Sequence, residues 1–292
     1  MQRLVKYIMG EVKKYKTPIM TLVVLTAVII TVAALSGCIE TDGDEKTTIT
    51  IKGSSTVLPI ATLCAEQFME DNPDITVSVA GGGSSVGIRS VAEGEADIGD
   101  ASREVKQSEI DEFGDIFYDN KVALDGVAVI VSKEIYDAGI TDLTLEQIKE
   151  IFDGTISDWQ DLGYNGSLEI FVNEREEGSG TRDTFMELVD LEETDADTAH
   201  SSNSLVKQAV QGSDQAIGYV GLGYVDDTTP AVDIDGVAAN ADNIKSETYP
   251  ISRSLHMYTI GEPTGAVKEF IDYVLGTEGQ QIVEDEGFIA IS

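Results

Sequence analysis

The chain has 292 residues, with 19 Lys+Arg against 53 Asp+Glu for a formal net charge of −34, and it carries only two cysteines and two histidines. That length suits two lobes of about 100 to 150 residues. The charge excludes nucleic acid and polybasic attachment to anionic lipid, and the cysteine count excludes a disulfide framework and a cysteine metal site.

Residues 1–37 read as a targeting segment rather than as part of the fold. Arg3, Lys6, Lys13, Lys14 and Lys16 form a basic head, Ile19 to Leu35 is an almost unbroken apolar run, and Leu35-Ser36-Gly37-Cys38 closes it. The ending resembles a lipobox, at which a precursor is cleaved and its new N-terminal cysteine, here Cys38, is lipidated. An uncleaved membrane anchor is the competing reading, because the run approaches bilayer-spanning length. Either way the remainder is expected on the outer face of the cytoplasmic membrane. Without the segment, 14 Lys+Arg face 52 Asp+Glu, a net charge of −38. Residues 38–48, acidic and threonine-rich, read as a tether.

The fold is expected to begin at Ile49. Ile49 to Lys52 alternates as a strand, runs into Gly53-Ser54-Ser55-Thr56, and gives way to Leu58, Ala61, Cys64, Ala65 and Phe68 at helical spacing. Pro59 is tolerated in the first turn and Asn72-Pro73 stops the helix, with Cys64 a small core residue. The pattern repeats with Ile75 to Val79, Gly81-Gly82-Gly83-Ser84-Ser85 and a short helix to Glu93; Ala96 to Arg103 is a strand ending in a polar loop. Val122 to Ser132, apolar except for Asp125 and Gly126, reads as a crossover between lobes. Thr144 to Phe152 is an amphipathic helix with capping-box spacing from Thr144 to Gln147. Leu168 to Val172 is a strand before Asn173 to Phe185, Asn203 to Gln211 a helix, and Ala216 to Val220 a buried strand. Tyr249 to Thr259 is the return crossover, with helices over Val267 to Leu275 and Gln280 to Val283. The expectation is an α/β protein of two lobes, each a mixed sheet flanked by helices, joined by two crossover strands. One lobe takes 49–125 and 255–292, the other 126–254.

Three times a strand ends in small hydroxyl residues and a helix begins: at Ser55-Thr56, at Ser84-Ser85 and at Ser179-Gly180-Thr181. A helix start leaves backbone N–H groups without intrahelical partners, and its dipole favours an anion there. Strand carboxyl ends line the crevice of open α/β sheets, so the three turns can converge. Arg175 and Arg103 can add forked, charge-assisted bonds to oxygens. Singly, each turn is an ordinary N-cap, and Arg103 can instead pair with Glu104 or Asp100. Together they read as an oxyanion site.

Gly53-Ser54-Ser55-Thr56-Val57, Gly81 to Gly87, Asp97 to Arg103, Leu143 to Ile148, Ile151-Phe152-Asp153-Gly154 and Arg175 to Thr181 resemble, in order and spacing, the signatures of the PstS family, the phosphate-binding proteins of phosphate ABC importers. The resemblance runs from about Lys52 to the C-terminus. It implies a class II periplasmic-binding-protein fold holding one inorganic phosphate between its lobes. It further implies a permease in the membrane and a cytoplasmic ATPase as partners, a monomer, and no catalytic residue, metal or cofactor. Position by position it assigns Ser55, Thr56, Ser84, Arg175, Ser179, Gly180 and Thr181 to the anion, with Glu177 as the acid that holds the arginine; Ser85 and Arg103 join the candidate ligands from the turn and strand-end reading alone. Part of the family has an aspartate at the place of Arg103, where it accepts a proton from phosphate and so rejects fully ionised sulfate.

Two rival readings remain at this stage. A receptor for molybdate, tungstate or sulfate would keep carboxylates, Glu177 and Asp100 among them, away from the oxyanion. A phosphatase-type hydrolase would need a serine with a His and Asp escort, and neither His200 nor His256 stands in such a pattern.

Overall fold

Ile49 and Ile51 alternate with threonine and lysine, and that period of two lays β1 (Thr47–Gly53) parallel to both β2 (Ile75–Gly81) and β3 (Ile98–Ala101). The computed structural model describes residues 46–291. The targeting segment, Cys38 and nearly all of the tether lie outside the described residues. Helix α1 (Leu58–Asp71) connects β1 to β2 and buries Ile60, Ala61, Cys64, Ala65 and Phe68. It stops where the backbone and side-chain N–H groups of Asn72 both donate to the Phe68 carbonyl, at 3.0 and 2.9 Å. Helix α2 (Ser84–Ala92) connects β2 to β3. Helix α3 (Gln107–Phe113) buries no residue and offers no apolar stripe, so the sequence did not announce it.

Strand β4 (Phe117–Val131) is the spine of the molecule. Its first part, to Gly126, pairs antiparallel with β10 (Ser252–Ile260), and Val127 to Val131 pair antiparallel with β8 (Ala216–Gly221). β8 in turn runs parallel to β6 (Phe171–Arg175), and β6 to β7 (Thr198–His200), giving the order β2-β1-β3-β10-β4-β8-β6-β7. A small second sheet joins β5 (Asp142–Leu143) to β9 (Asp233–Ile234). The expected crossovers are β4 and β10, with shifted ends. β10 starts only at Ser252, because Pro250 has no N–H for the ladder, and the Tyr249 hydroxyl donates to the Val127 carbonyl at 3.1 Å.

The remaining helices are α4 (Lys133–Asp137), α5 (Leu145–Phe152), α6 (Gly180–Val189), α7 (Asn203–Gln211), α8 (Ala241–Lys245), α9 (Gly265–Leu275) and α10 (Thr277–Asp285). The capping box of α5 forms as its spacing predicts: Gln147 N–H donates to Thr144 Oγ1 at 3.1 Å, and Thr144 N–H to Gln147 Oε1 at 2.9 Å. No helix among the described residues is long and apolar enough to cross a membrane.

Two large apolar clusters make this an α/β protein of two lobes. In one, Ile49, Ile51, Phe68 and Phe270 pack α1, α9 and α10 on the sheet, with Phe68 and Phe270 edge to face at 5.4 Å. In the other, Val129, Phe152, Trp159, Phe185 and Tyr219 surround α5 and α6, with Phe185 stacked on Tyr219 at 4.0 Å. Burying each such side chain stabilises the fold by about 1.5–3 kcal/mol. The same packing fixes the strand ends that carry the site: Arg175 N–H donates to the Tyr219 hydroxyl at 3.2 Å.

Candidate oxyanion site

The first turn follows β1. Gly53 has φ +141°, and a Cβ there would lie 2.1 Å from the Asp100 carbonyl, so only glycine lets β1 pass β3 this closely. Ser54 N–H donates to that carbonyl at 2.8 Å, and Ser54 Oγ accepts from Thr56 N–H at 3.1 Å, which opens α1. The turn delivers Ser55 and Thr56 to the interior, with Thr56 fully buried.

The second turn follows β2. Gly83, at φ +88°, is the N-cap of α2 and has no side chain with which to cap it. Ser84 is fully buried, and its hydroxyl accepts from Ser102 N–H at 3.0 Å. The third turn follows β6, where Ser179 caps α6 by accepting from Arg182 N–H at 3.3 Å.

The second and third turns meet. A Cβ on Gly180 would lie 2.2 Å from Ser84 Oγ and 2.6 Å from Ser102 Oγ, and Ser85 N–H donates to the Gly178 carbonyl at 3.0 Å. The first and third meet as well, with Thr56 Oγ1 and Thr181 Oγ1 3.0 Å apart. Three helix starts, each worth about half a positive charge, therefore converge on one buried spot. Around it lie the hydroxyls of Ser55, Thr56, Ser84, Ser102, Ser179 and Thr181. Chemically this is a buried, donor-dense cluster, suited to a small desolvated anion whose oxygens must all be bonded.

Arg175 ends β6 with 1% exposure. Its Nε donates to the His200 carbonyl and its Nη2 to the Ser201 carbonyl, each at 3.1 Å. Burial lowers its pKa to about 10, with the nearby charge of Arg253 adding to the effect. Glu177, expected to hold this arginine, is exposed, and carbonyls do that work instead. The reason is β6 itself. It continues past Val172 through Asn173 and Arg175 because those residues pair with β7, which brings the His200 backbone alongside the guanidinium.

Arg103 is also not disposed as its place at a strand end suggested. Nε donates to Asp183 Oδ2, Nη1 to the Glu104 carbonyl and Glu109 Oε2, and Nη2 to Ser85 Oγ and Glu109 Oε1, all at 2.8 to 2.9 Å. These are all five of its N–H groups, so none is left for an anion. Arg103 is instead a strut between α3 and α6, reinforced by Lys106 Nζ at 2.8 Å from Asp183. Ser85 stands in that strut. Its hydroxyl accepts from Arg103, while its N–H reaches Gly178.

Other residues at the site were not singled out from the sequence. Asn203, fully buried at the start of α7, donates through Nδ2 to Thr56 Oγ1 at 2.9 Å and Ser55 Oγ at 3.2 Å. The Tyr224 hydroxyl donates to the Ser55 carbonyl at 2.6 Å. Arg253 of β10 donates from Nη2 to Thr181 Oγ1 at 3.1 Å and Thr56 Oγ1 at 3.3 Å. It is paired with Asp125 of β4, whose Oδ2 lies 2.9 Å from Nε and 2.7 Å from Nη2. Asp125, the one charge in the apolar run from Val122 to Ser132, was the available signal, because a buried charge demands a partner.

Asp100 is buried beside Cys64, and burial holds its carboxyl well above the usual carboxylate range. The Cys64 thiol is pushed up to about 12 by burial, with Asp100 contributing. Among the described residues no group of three or more His, Cys, Asp or Glu could hold a metal ion.

A family model, the PBP superfamily domain, matches residues 40–278. The phosphate-binding protein PstS of Bacillus subtilis is 39% identical over 257 residues, 86% of this chain and 83% of its own. Among solved structures, a candidate phosphate ABC transporter substrate-binding protein of Clostridium perfringens, with bound phosphate, is 38% identical with a TM-score of 0.79, covering 84% of this chain and all of the other. An ABC-type phosphate transport receptor from Vibrio cholerae is 33% identical with a TM-score of 0.68, covering 82% of this chain and 99% of its own.

Proposed function

We propose, since this chain belongs to the phosphate-binding PstS family of the PBP superfamily, that it is an extracytoplasmic receptor that closes on inorganic phosphate and delivers it to an ABC importer. The observation that carries the reading is the meeting of the α2 and α6 starts over Gly180, with Arg175 ending the strand beside them. The ligand set we assign is Ser55, Thr56, Ser84, Arg175, Ser179, Gly180 and Thr181. Ser85, Arg103 and Glu177 fall outside it, by their hydrogen bonds or their exposure. The lobe division into 49–125 with 255–292, and 126–254, is supported by the two apolar clusters, except that Leu124 and Ile289 pack with the second and Tyr224 with the first.

Calorimetric titration of the purified protein with phosphate, sulfate and molybdate tests the reading. Phosphate is expected to bind one to one, and at a hundredfold excess over Kd to stabilise the fold by about 2.7 kcal/mol in a thermal melt. Silence with phosphate overturns it, and heat from molybdate or sulfate alone reassigns the site to that anion.

The partners that follow are a membrane permease and its cytoplasmic ATPase, met by a monomeric receptor held at the outer face of the cytoplasmic membrane. For the anchor we favour a lipid on Cys38. Cells fed a radiolabelled fatty acid are expected to label the wild-type protein and not Cys38→Ala, and an unlabelled wild-type chain would sink that anchor.

A further inference from the structure

The structure assigns a second guanidinium to the bound anion: we propose that Arg253 is a direct ligand of the phosphate oxygens through Nη1, held in place by Asp125. This goes beyond the three-turn reading and rests on it. No motif in the sequence pointed to Arg253. In the sequence it lies on a crossover strand, away from every helix start.

The argument begins with the donors of the side chain. Nε and Nη2 are engaged by Asp125 Oδ2, and Nη2 also reaches the hydroxyls of Thr56 and Thr181. Nη1 is buried and has no hydrogen-bond partner among the described residues. The side chain is only 4% exposed and Asp125 is fully buried. A buried donor on a charged group that lacks an acceptor is costly, and native structures rarely tolerate one outside a functional site.

What Nη1 lies beside supplies the acceptor. The guanidinium is flat and rigid, so Nη1 sits next to Nη2, and Nη2 touches one threonine from each side of the pocket. Arg253 and Asn203 both donate to Thr56 Oγ1, and Arg253 donates to Thr181 Oγ1. With both lone pairs so occupied, Thr56 turns its hydrogen to Thr181 Oγ1, 3.0 Å away, and Thr181, accepting from Arg253 and Thr56, turns its own hydrogen toward another acceptor. An anion oxygen against Thr181 is thus also the natural partner of Nη1. Charge points the same way: Arg253 is close enough to depress the titration of Arg175, and an anion between two guanidinium groups relieves their repulsion.

Asp125 acts on the ligand only through Arg253 and is a positioning residue. One of its oxygens takes both Arg253 bonds, and the other accepts from Leu222 N–H at 2.9 Å, so the fork has a single orientation.

The test pairs a structure with a titration. A crystal structure of the wild-type protein with phosphate is expected to put Nη1 at about 3 Å from a phosphate oxygen. A complex in which Nη1 bonds only water, or another protein atom, overturns the assignment even if every Arg253 variant fails to fold. In calorimetry, Arg253→Lys keeps the charge but loses the fork, and should weaken phosphate binding about 10- to 100-fold, the usual effect of losing a hydrogen bond to a charged group. Affinity within twofold of wild type overturns the inference and leaves the phosphate reading standing. A wild-type protein that ignores phosphate removes both.

Discussion

Replacing Arg175 with alanine should raise the Kd for phosphate a hundredfold or more, a loss of about 3 kcal/mol, because it strips a buried charge-assisted pair from one partner only. The side chain is fixed by the carbonyls of His200 and Ser201, and the nearby charge of Arg253 repels it. Among the described residues no carboxylate forms a salt bridge with it, although the charge of Glu176 lies near, so its fork is available to an anion. Arg175→Lys should recover part of the loss by restoring the charge without the fork. Calorimetry on the two variants decides the matter, and an affinity unchanged by Arg175→Ala would put the anion elsewhere.

Gly180→Ala should be as severe by a different route. The added methyl would fall 2.2 Å from Ser84 Oγ, and that hydroxyl cannot swing away without giving up its bond from Ser102 N–H at 3.0 Å. Gly180 is in the first turn of α6, where alanine is a good helix former, so the ligand-free fold should melt within a few degrees of wild type. Phosphate affinity should nevertheless fall about a hundredfold, since the helix starts can no longer meet. Small-angle scattering would then record little compaction on adding phosphate. Tight binding by this variant would mean that the lobes meet differently from the way described.

Much of this was legible in the sequence, and the rest was hidden for physical reasons. The strand, turn and helix units at Ser55, Ser84 and Ser179 are local: alternation, small residues and helical spacing declare them without reference to anything distant. The capping box at Thr144 is local too. The misreadings concern partners that no local pattern announces. Arg103 looked available because Asp183 is 80 positions downstream and because α3, which carries Glu109, has no apolar stripe to declare it. Glu177 looked like the holder of Arg175, but the pairing of β6 with β7 brought carbonyls instead. Asp125 was visible as a lone charge in an apolar run, yet only the β4–β10 register sets Arg253 beside it.

The contact between Ser85 and Gly178 joins main chain to main chain, with Gly83 leaving room beside it: a Cβ there would come within 3.0 Å of the Gly178 carbonyl. Mutation can jam that seam by adding atoms at a glycine, but cannot dissolve it by taking a side chain away. The serines, threonines and arginines lining the pocket are under no such restriction. The hydroxyl residues can therefore be exchanged one at a time, shifting the preference toward a different tetrahedral anion, while the main-chain seam is inherited unchanged.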